Sequence, residues 1–384
     1  MRDFLPEDKR ARDLVLGKIR ETYTARGYQE IETPALEDLA RLTSGQGGDN
    51  EKLAFRVMKR GAELEQALET SGELADLGLR YDLTVPLTRY YATNRNSLPT
   101  VFKAIQTGPV WRAERPQKGR YRQFVQCDID IIGDSSLLAE IDLLTSSLAA
   151  LDALGLTDAV IRVNHRSLLV SLLDSLGVPT SDHSSAMITI DKLDKIGADG
   201  VAAELEERFG VGAAFSTWIS GLDVSVIPAE LAEIFSVVGA SRLKYDPTLV
   251  RGMGYYTGPI FEIEHPGSGS SIGGGGRYDG MVGKWLGQDV PAVGISLGFE
   301  RVMDLVDVSL LGASGDSVVL VLEGDVLPKA VEIRSSLIAQ GYRVRFEARP
   351  KKLNNLLESM AANGFTHFAV LDSTTAELDI RPIA

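Results

Sequence analysis

The chain has 384 residues, 44% of them hydrophobic and 24% charged, which is the make-up of an ordinary soluble protein long enough for two or three cores. A net charge of -13 excludes a broad, non-specific hold on nucleic acid, because that attraction depends on Lys and Arg neutralising phosphates, so any RNA contact must be local. No apolar run approaches the roughly eighteen residues of a membrane span, and the start Met1-Arg2-Asp3-Phe4-Leu5-Pro6-Glu7-Asp8 turns charged before a signal-peptide core can form, so a cytoplasmic protein is expected.

In chain order, Pro6-Glu7-Asp8, the four-residue recurrence of Ala11, Val15, Ile19 and Tyr23, and the stop at Gly27 predict a docked amphipathic helix. Tyr28 to Pro34 reads as a short extended segment, and Ser44-Gly45-Gln46-Gly47-Gly48 as a mobile loop. A strand, loop, strand pattern covers Thr100 to Gly133, and helices are expected over Leu137 to Leu154 and Ser167 to Leu176. Residues 182 to about 243 are helical, alanine-rich and without strand runs, the pattern of an inserted helical subdomain. Strands at Gly258 to Ile263 and Val293 to Leu297 bracket Gly273-Gly274-Gly275-Gly276, a run that reads in isolation as a tight turn.

Around Leu311-Gly312-Ala313-Ser314-Gly315 the composition becomes small and flexible, predicting a linker. Beyond it come a strand at Val318 to Leu322, a helix at Lys329 to Gln340, a strand at Tyr342 to Phe346, a helix at Leu353 to Asn363 and a strand at His367 to Leu371. Residues 317 to 384 carry eight Lys/Arg and eight Asp/Glu, so the acidic excess, 45 against 32, falls wholly in residues 1 to 316. The single Cys127 excludes an internal disulfide, and His165, His183, His265 and His367 lack ligand-like spacing, so no protein-bound metal site is expected.

The most informative stretch runs from Val110 to Asp130. Five cations lie within the eleven residues from Arg112 to Arg122, joined by a Pro/Gly loop and followed by alternating acids. That pattern suits a polyanion-facing turn beside a carboxylate-lined pocket, while charge alone is equally met by a solvated basic hairpin. The order of residues in this stretch closely resembles the second signature motif of class II aminoacyl-tRNA synthetases in its histidyl form. Gly27-Tyr28 through Pro34 resembles the first motif, which ends in a proline at a dimer interface. Leu249-Val250-Arg251-Gly252-Met253-Gly254-Tyr255-Tyr256-Thr257-Gly258 and Ser271 to Gly280 resemble two signatures peculiar to histidyl enzymes, and Gly294 to Arg301 the third class motif.

The resemblance implies an α+β fold: an antiparallel catalytic sheet with flanking helices and a helical insertion, then a small α/β domain of anticodon-binding type. It places the catalytic domain at 1–312, with the insertion at about 182–243, and the second domain at 317–384, shortened because it stops before the usual last strand and helix. It implies a homodimer that joins histidine to tRNA(His) through histidyl-adenylate, with ATP and Mg2+. Arg112 would bridge the α-phosphate and the incoming carboxylate, Glu114 would accept from the adenine amino group, Phe124 would stack on the ring, and Arg120 would add an ATP contact. Arg301 would pin the γ-phosphate, and Arg251 would be the cation at the α-phosphate. Asp82, Thr84 and Gln126 would hold the substrate ammonium. Asp130 and Tyr256 would face opposite ring nitrogens, with Tyr255 and Tyr278 completing the wall alongside the glycine run.

The sequence departs from the family pattern at several points. Asp82 and Asp130 stand where many bacterial members have Glu, Gln126-Cys127-Asp128-Ile129-Asp130 has the form of the eukaryotic branch, and Gly254 replaces a frequent Asp. Two other functions fit the resemblance. One is a non-catalytic regulatory paralogue of the ATP phosphoribosyltransferase of histidine biosynthesis, which usually loses the ATP-binding arginines. The other is a histidine-activating enzyme serving a non-tRNA acceptor.

Overall fold

The computed structural model describes residues 2–43, 52–115, 121–251, 255–311 and 316–383. The chain divides into two compact units, Gly17–Val306 and the pair Arg2–Leu16 with Asp307–Ala384. The first unit holds strands β1 (Gln29–Glu30), β2 (Leu36–Asp38), β3 (Arg56–Met58), β4 (Ala75–Leu79), β5 (Phe102–Trp111), β6 (Gln123–Ile132), β7 (Val160–His165), β8 (Leu243–Tyr245), β9 (Pro259–Glu264), β10 (Gly273–Arg277) and β11 (Ala292–Gly298). Eight of them make one sheet in the order β1-β5-β6-β11-β10-β9-β7-β8, and β2-β4-β3 make a smaller one. The large sheet is antiparallel through its middle, with parallel pairs only at its ends, β1 on β5 and β7 on β8.

Period-two alternation gives this sheet its two faces. On β6, Cys127, Ile129 and Ile131 are at most 1% exposed. Their neighbours Gln126, Asp128 and Asp130 point to the other face, as a pleated strand requires. Helix Leu137–Ala153 packs against β6 and β11 and buries Leu143, Leu144 and Leu151. The predicted insertion is present as helices His183–Ile190, Leu193–Phe209, Gly212–Ser220 and Ala229–Val238. Val201, Leu205 and Phe215 of these helices share one apolar cluster with Tyr81, Phe102, Ile132 and Ile260.

Within the extended segment Tyr28 to Pro34, Gln29 and Glu30 pair with β5, the Ile31 N–H donates to the Ile105 carbonyl at 2.9 Å, and Arg80 holds Thr33, its Nη1 donating to the Thr33 carbonyl at 2.6 Å. One local expectation needs correction. The Gly273 to Gly276 run is strand β10 rather than a turn, lying between β9 and β11. A Cβ on Gly275 would sit 1.9 Å from the Gly294 carbonyl oxygen, so β-branched residues favoured in strands have no room there.

The second unit contains β12 (Ser317–Leu322), β13 (Arg343–Ala348), β14 (His367–Leu371) and β15 (Arg381–Pro382), in the order β13-β12-β14-β15. The first three are parallel, connected by helices Leu327–Ala339 and Leu353–Ala362, and β15 adds an antiparallel edge. Val318, Val319, Leu320 and Val321 are all fully buried, which explains the unbroken apolar run: a central parallel strand is covered on both faces.

In the first unit, the end of β10 is fastened to helix Leu137–Ala153 by Arg277, whose Nε and Nη2 reach the two oxygens of fully buried Glu140 at 2.5 and 2.7 Å. Removing Glu140 takes away the bidentate partner of Arg277 and leaves its buried charge with only Asp279, at 3.2 Å, and backbone carbonyls. Glu140→Ala is therefore expected to destabilise the first unit by about 3 to 5 kcal/mol in urea unfolding, and a loss below about 1 kcal/mol would contradict a clamp of this kind.

Candidate active site

On the open face of the large sheet lies a cavity of about 590 Å3. Twelve of the residues singled out from the sequence line it: Asp82, Thr84, Arg112, Glu114, Phe124, Gln126, Asp130, Arg251, Tyr255, Tyr256, Tyr278 and Arg301. The remaining one, Arg120, lies outside the described residues, as do Gly254 and the loop at Ser44 to Gly48. The twelve come from different elements. Gln126 and Asp130 project from β6, Thr84 opens helix Thr84–Asn94, Tyr278 follows β10, and Arg301 sits in the short helix Phe299–Met303.

One part of the cavity is acidic. Asp82, Asp128 and Asp130 are each no more than 3% exposed. The Tyr278 hydroxyl donates to Asp130 Oδ1 at 2.6 Å, and the backbone N–H of Val85 donates to Asp82 Oδ1 at 3.1 Å. Asp130 therefore pairs with neither Arg122 nor Arg277: Arg122 Nε reaches the Glu114 carbonyl, and Arg277 is taken by Glu140 and Asp279. Burial pushes the Asp130 carboxyl up to about 7, the nearby Asp82 adds to the rise, and the Tyr278 hydrogen bond opposes it. Asp128 is also pushed well above the usual carboxylate range, first by burial and then by Asp130, with its hydrogen bond to Ser296 opposing. Gln126 Nε2 donates to Ser296 Oγ at 3.0 Å, which leaves its buried Oε1 without a hydrogen-bond partner among the described residues.

Three arginines supply the opposite charge. Arg112 Nε donates to the Tyr81 carbonyl at 3.0 Å, and its guanidinium lies 5.1 Å from the Phe124 ring centre. Arg301 Nη1 donates to the Ser271 carbonyl. Arg251 Nη1 donates to Glu262 Oε2 at 2.9 Å, while its buried Nε finds no acceptor among the described residues. The cavity thus offers carboxylates for a cationic group and guanidinium groups for a polyanion.

Sequence reasoning gave no role to Asp128, Ser296, Glu262 or Arg162, all of which line the cavity. The alternation Gln126, Asp128, Asp130 was a usable signal for Asp128, because every second residue of a strand shares a face. Glu262 had no such signal; its place depends on the pairing of β9 with β7 and β10.

The family model for histidyl-tRNA synthetase matches residues 1–302. The chain belongs to the histidyl-tRNA synthetase family. It is 51% identical over 419 residues to the histidine–tRNA ligase of Leifsonia xyli, covering 100% of this chain and 97% of that one. It is 41% identical over 405 residues to a probable histidine–tRNA ligase of Tropheryma whipplei, covering 97% and 94%. Among solved structures, the histidyl-tRNA synthetase of a Nostoc species superposes with a TM-score of 0.80 at 25% identity, covering all of this chain and 93% of that one. The expected α+β fold, with its antiparallel catalytic sheet, is the fold of this family.

The raised Asp130 value sets the sign of a stability effect. The unfolded chain would release this proton near pH 4, whereas the folded protein holds it to about pH 7. The native state binds the extra proton in between, so this group's contribution falls as pH rises from about 4 through about 7. Asp130→Asn removes the buried charge, so relative to the parent it is expected to gain stability between pH 5 and pH 8 in chemical unfolding. A constant difference across that range would contradict the burial of an ionising Asp130.

Proposed function

We propose that this chain is an ATP-dependent histidine–tRNA ligase that makes histidyl-adenylate from histidine and ATP and passes the histidyl group to tRNA(His). The observation that carries this reading is the meeting, in one cavity, of the buried acids Asp82 and Asp130 with the cations Arg112, Arg251 and Arg301. A zwitterionic amino acid needs acids for its ammonium group, and a nucleoside triphosphate needs cations for its phosphates. The three arginines also argue against the regulatory paralogue, which has no phosphate chemistry to perform.

Asp82, Thr84 and Gln126 hold the substrate ammonium, and Gln126 Oε1, without a partner among the described residues, supplies an acceptor. Asp130, oriented by Tyr278, accepts from a ring N–H of histidine, and Tyr256 faces the other ring nitrogen. A side chain lacking either nitrogen would leave a buried polar group unpaired, which is the basis of selectivity. Glu114, Arg120 and Phe124 receive the adenine end, and Arg301 the γ-phosphate. Mg2+ arrives bound to the phosphates of ATP.

Arg112 and Arg251 lie at the α-phosphate. The histidine carboxylate attacks phosphorus directly and pyrophosphate leaves, so the protein contributes alignment and charge stabilisation rather than a nucleophile of its own. The tRNA 3′-terminal hydroxyl then attacks the histidyl carbonyl, forming the ester while the bond to phosphate breaks and AMP leaves. Residues 1–312 form the activating domain and 317–384 a domain like the anticodon-binding domains of the family. The segment ending at Pro34 forms the contact of a cytoplasmic homodimer.

ATP–pyrophosphate exchange dependent on histidine, followed by charging of tRNA, tests the whole reading. Exchange without charging would point to a non-tRNA acceptor, and neither activity to a regulatory role. Within it, Arg251→Ala is expected to slow exchange by about 3 to 4 kcal/mol in barrier, two to three orders of magnitude, at nearly unchanged ATP affinity. Asp130→Asn is expected to raise the histidine KM by an amount corresponding to roughly 1.5 to 3 kcal/mol, with no loss of thermal stability. Lowered stability at an unchanged KM would remove Asp130 from the specificity site.

A further inference from the structure

Glu262 stands mid-strand on β9, between two arginines. Its Oε2 accepts from Arg251 Nη1 at 2.9 Å and its Oε1 from Arg162 Nη1 at 3.3 Å. Arg162 is 8% exposed and is held in turn by Asp246, 2.5 Å from its Nε, and by Glu264 at 3.0 Å. Strand register explains this arrangement: Arg162 on β7, Glu262 on β9 and Gly274 on β10 are successive partners across three strands, so they lie abreast on the cavity face. A Cβ on Gly274 would come within 2.8 Å of Arg251 Nη1 and 2.9 Å of its Cζ. The guanidinium of Arg251 therefore lies over the one position in that row without a side chain, against the carboxylate beside it.

We propose that Glu262 is a positioning residue for adenylate formation: anchored by Arg162, it holds the Arg251 guanidinium over Gly274 in the orientation the reaction requires. This rests on the reading of Arg251 as the cation at the α-phosphate. An arginine at the end of four rotatable bonds is useful to a transition state only if it is already placed, because ordering it during the reaction would raise the barrier. A carboxylate is suited to the task. Its two oxygens satisfy two cations at once, whereas an amide in the same place offers one acceptor and turns an N–H donor toward the other arginine.

The test is a double-mutant cycle on histidine-dependent ATP–pyrophosphate exchange with the full chain: the parent, Glu262→Gln, Arg251→Ala and the double variant, with Glu264→Gln as control. Glu264 also holds Arg162 but does not touch Arg251. Glu262→Gln is expected to lower kcat roughly tenfold to a hundredfold, with the KM values for histidine and ATP within about twofold of the parent. The double variant should be no slower than Arg251→Ala, and Glu264→Gln should keep the parental kcat.

An unchanged kcat in Glu262→Gln, while Arg251→Ala is crippled, overturns this proposal and leaves the role of Arg251 intact. A near-normal Arg251→Ala overturns the role of Arg251 itself. A further loss when Glu262→Gln is added to Arg251→Ala also overturns the proposal, because Glu262 would then act by another route. Should Glu262→Gln prove too unstable to purify, Glu262→Asp completes the same cycle, since it keeps the charge but withdraws it by one methylene.

Discussion

Strand β10 carries glycine at four of its five positions, and the polar machinery of the first unit is arranged around that lack of side chains. Across the sheet at the level of Gly274 runs a row of partners: Arg162, Glu262, Gly274, Ser296, Asp128 and Gln106. The ion pair of Arg162 and Glu262 stands on one side of the glycine, and Ser296, Asp128 and Gln106 on the other. In the neighbouring row Asp130 is paired with Gly294, where a Cβ would fall 1.8 Å from its Oδ1. Glycine therefore does more here than let substrate approach the backbone. It makes room for the Arg251 guanidinium at one position and for the Asp130 carboxylate at another.

The strand placement of the glycine run also shows where reading the sequence reaches its limit. Four consecutive glycines have neither β-propensity nor alternation, so local rules favour a turn; only the backbone carbonyls of Ser296, Phe261, Gly294 and Pro259, each within 2.7 Å of where one of the four Cβ atoms would sit, explain why a strand there must be bare. The Gln126 to Asp130 alternation, by contrast, was legible as one face of a strand, and the helices at Leu137 to Leu154 and Ser167 to Leu176 followed from periodicity alone. Site residues carried by ordered motifs were found by their order. Glu262 and Arg162, about a hundred residues apart, are brought together by cross-strand pairing, which no local pattern encodes.

Electrostatics link the floor of the cavity to its purpose. Asp82, Asp128 and Asp130 repel one another in a place where water screens little, and burial and mutual proximity hold Asp128 and Asp130 toward their protonated forms. Asp82 accepts from the Val85 N–H and Asp130 from the Tyr278 hydroxyl, but a neutral acceptor would satisfy either donor, so fold stability gives no reason for three acids here. A bound ammonium changes the balance: its charge favours ionisation of the same carboxylates, and its donors meet acceptors such as Gln126 Oε1 that lack partners otherwise.

The arginines form the counterpart, but they are restrained differently. Each has protein acceptors for part of its guanidinium: the Tyr81 carbonyl for Arg112, the Ser271 carbonyl for Arg301 and the Glu262 carboxylate for Arg251. A neutral carbonyl fixes a guanidinium without cancelling its charge, as the Tyr81 carbonyl does for Arg112. A carboxylate offsets part of the Arg251 charge, and Arg162, which also faces Asp194, Asp246 and Glu264, takes up only part of the Glu262 charge. Glu262 therefore orients Arg251 at some cost to its field, and what the site gains is a fixed position for the guanidinium rather than added charge.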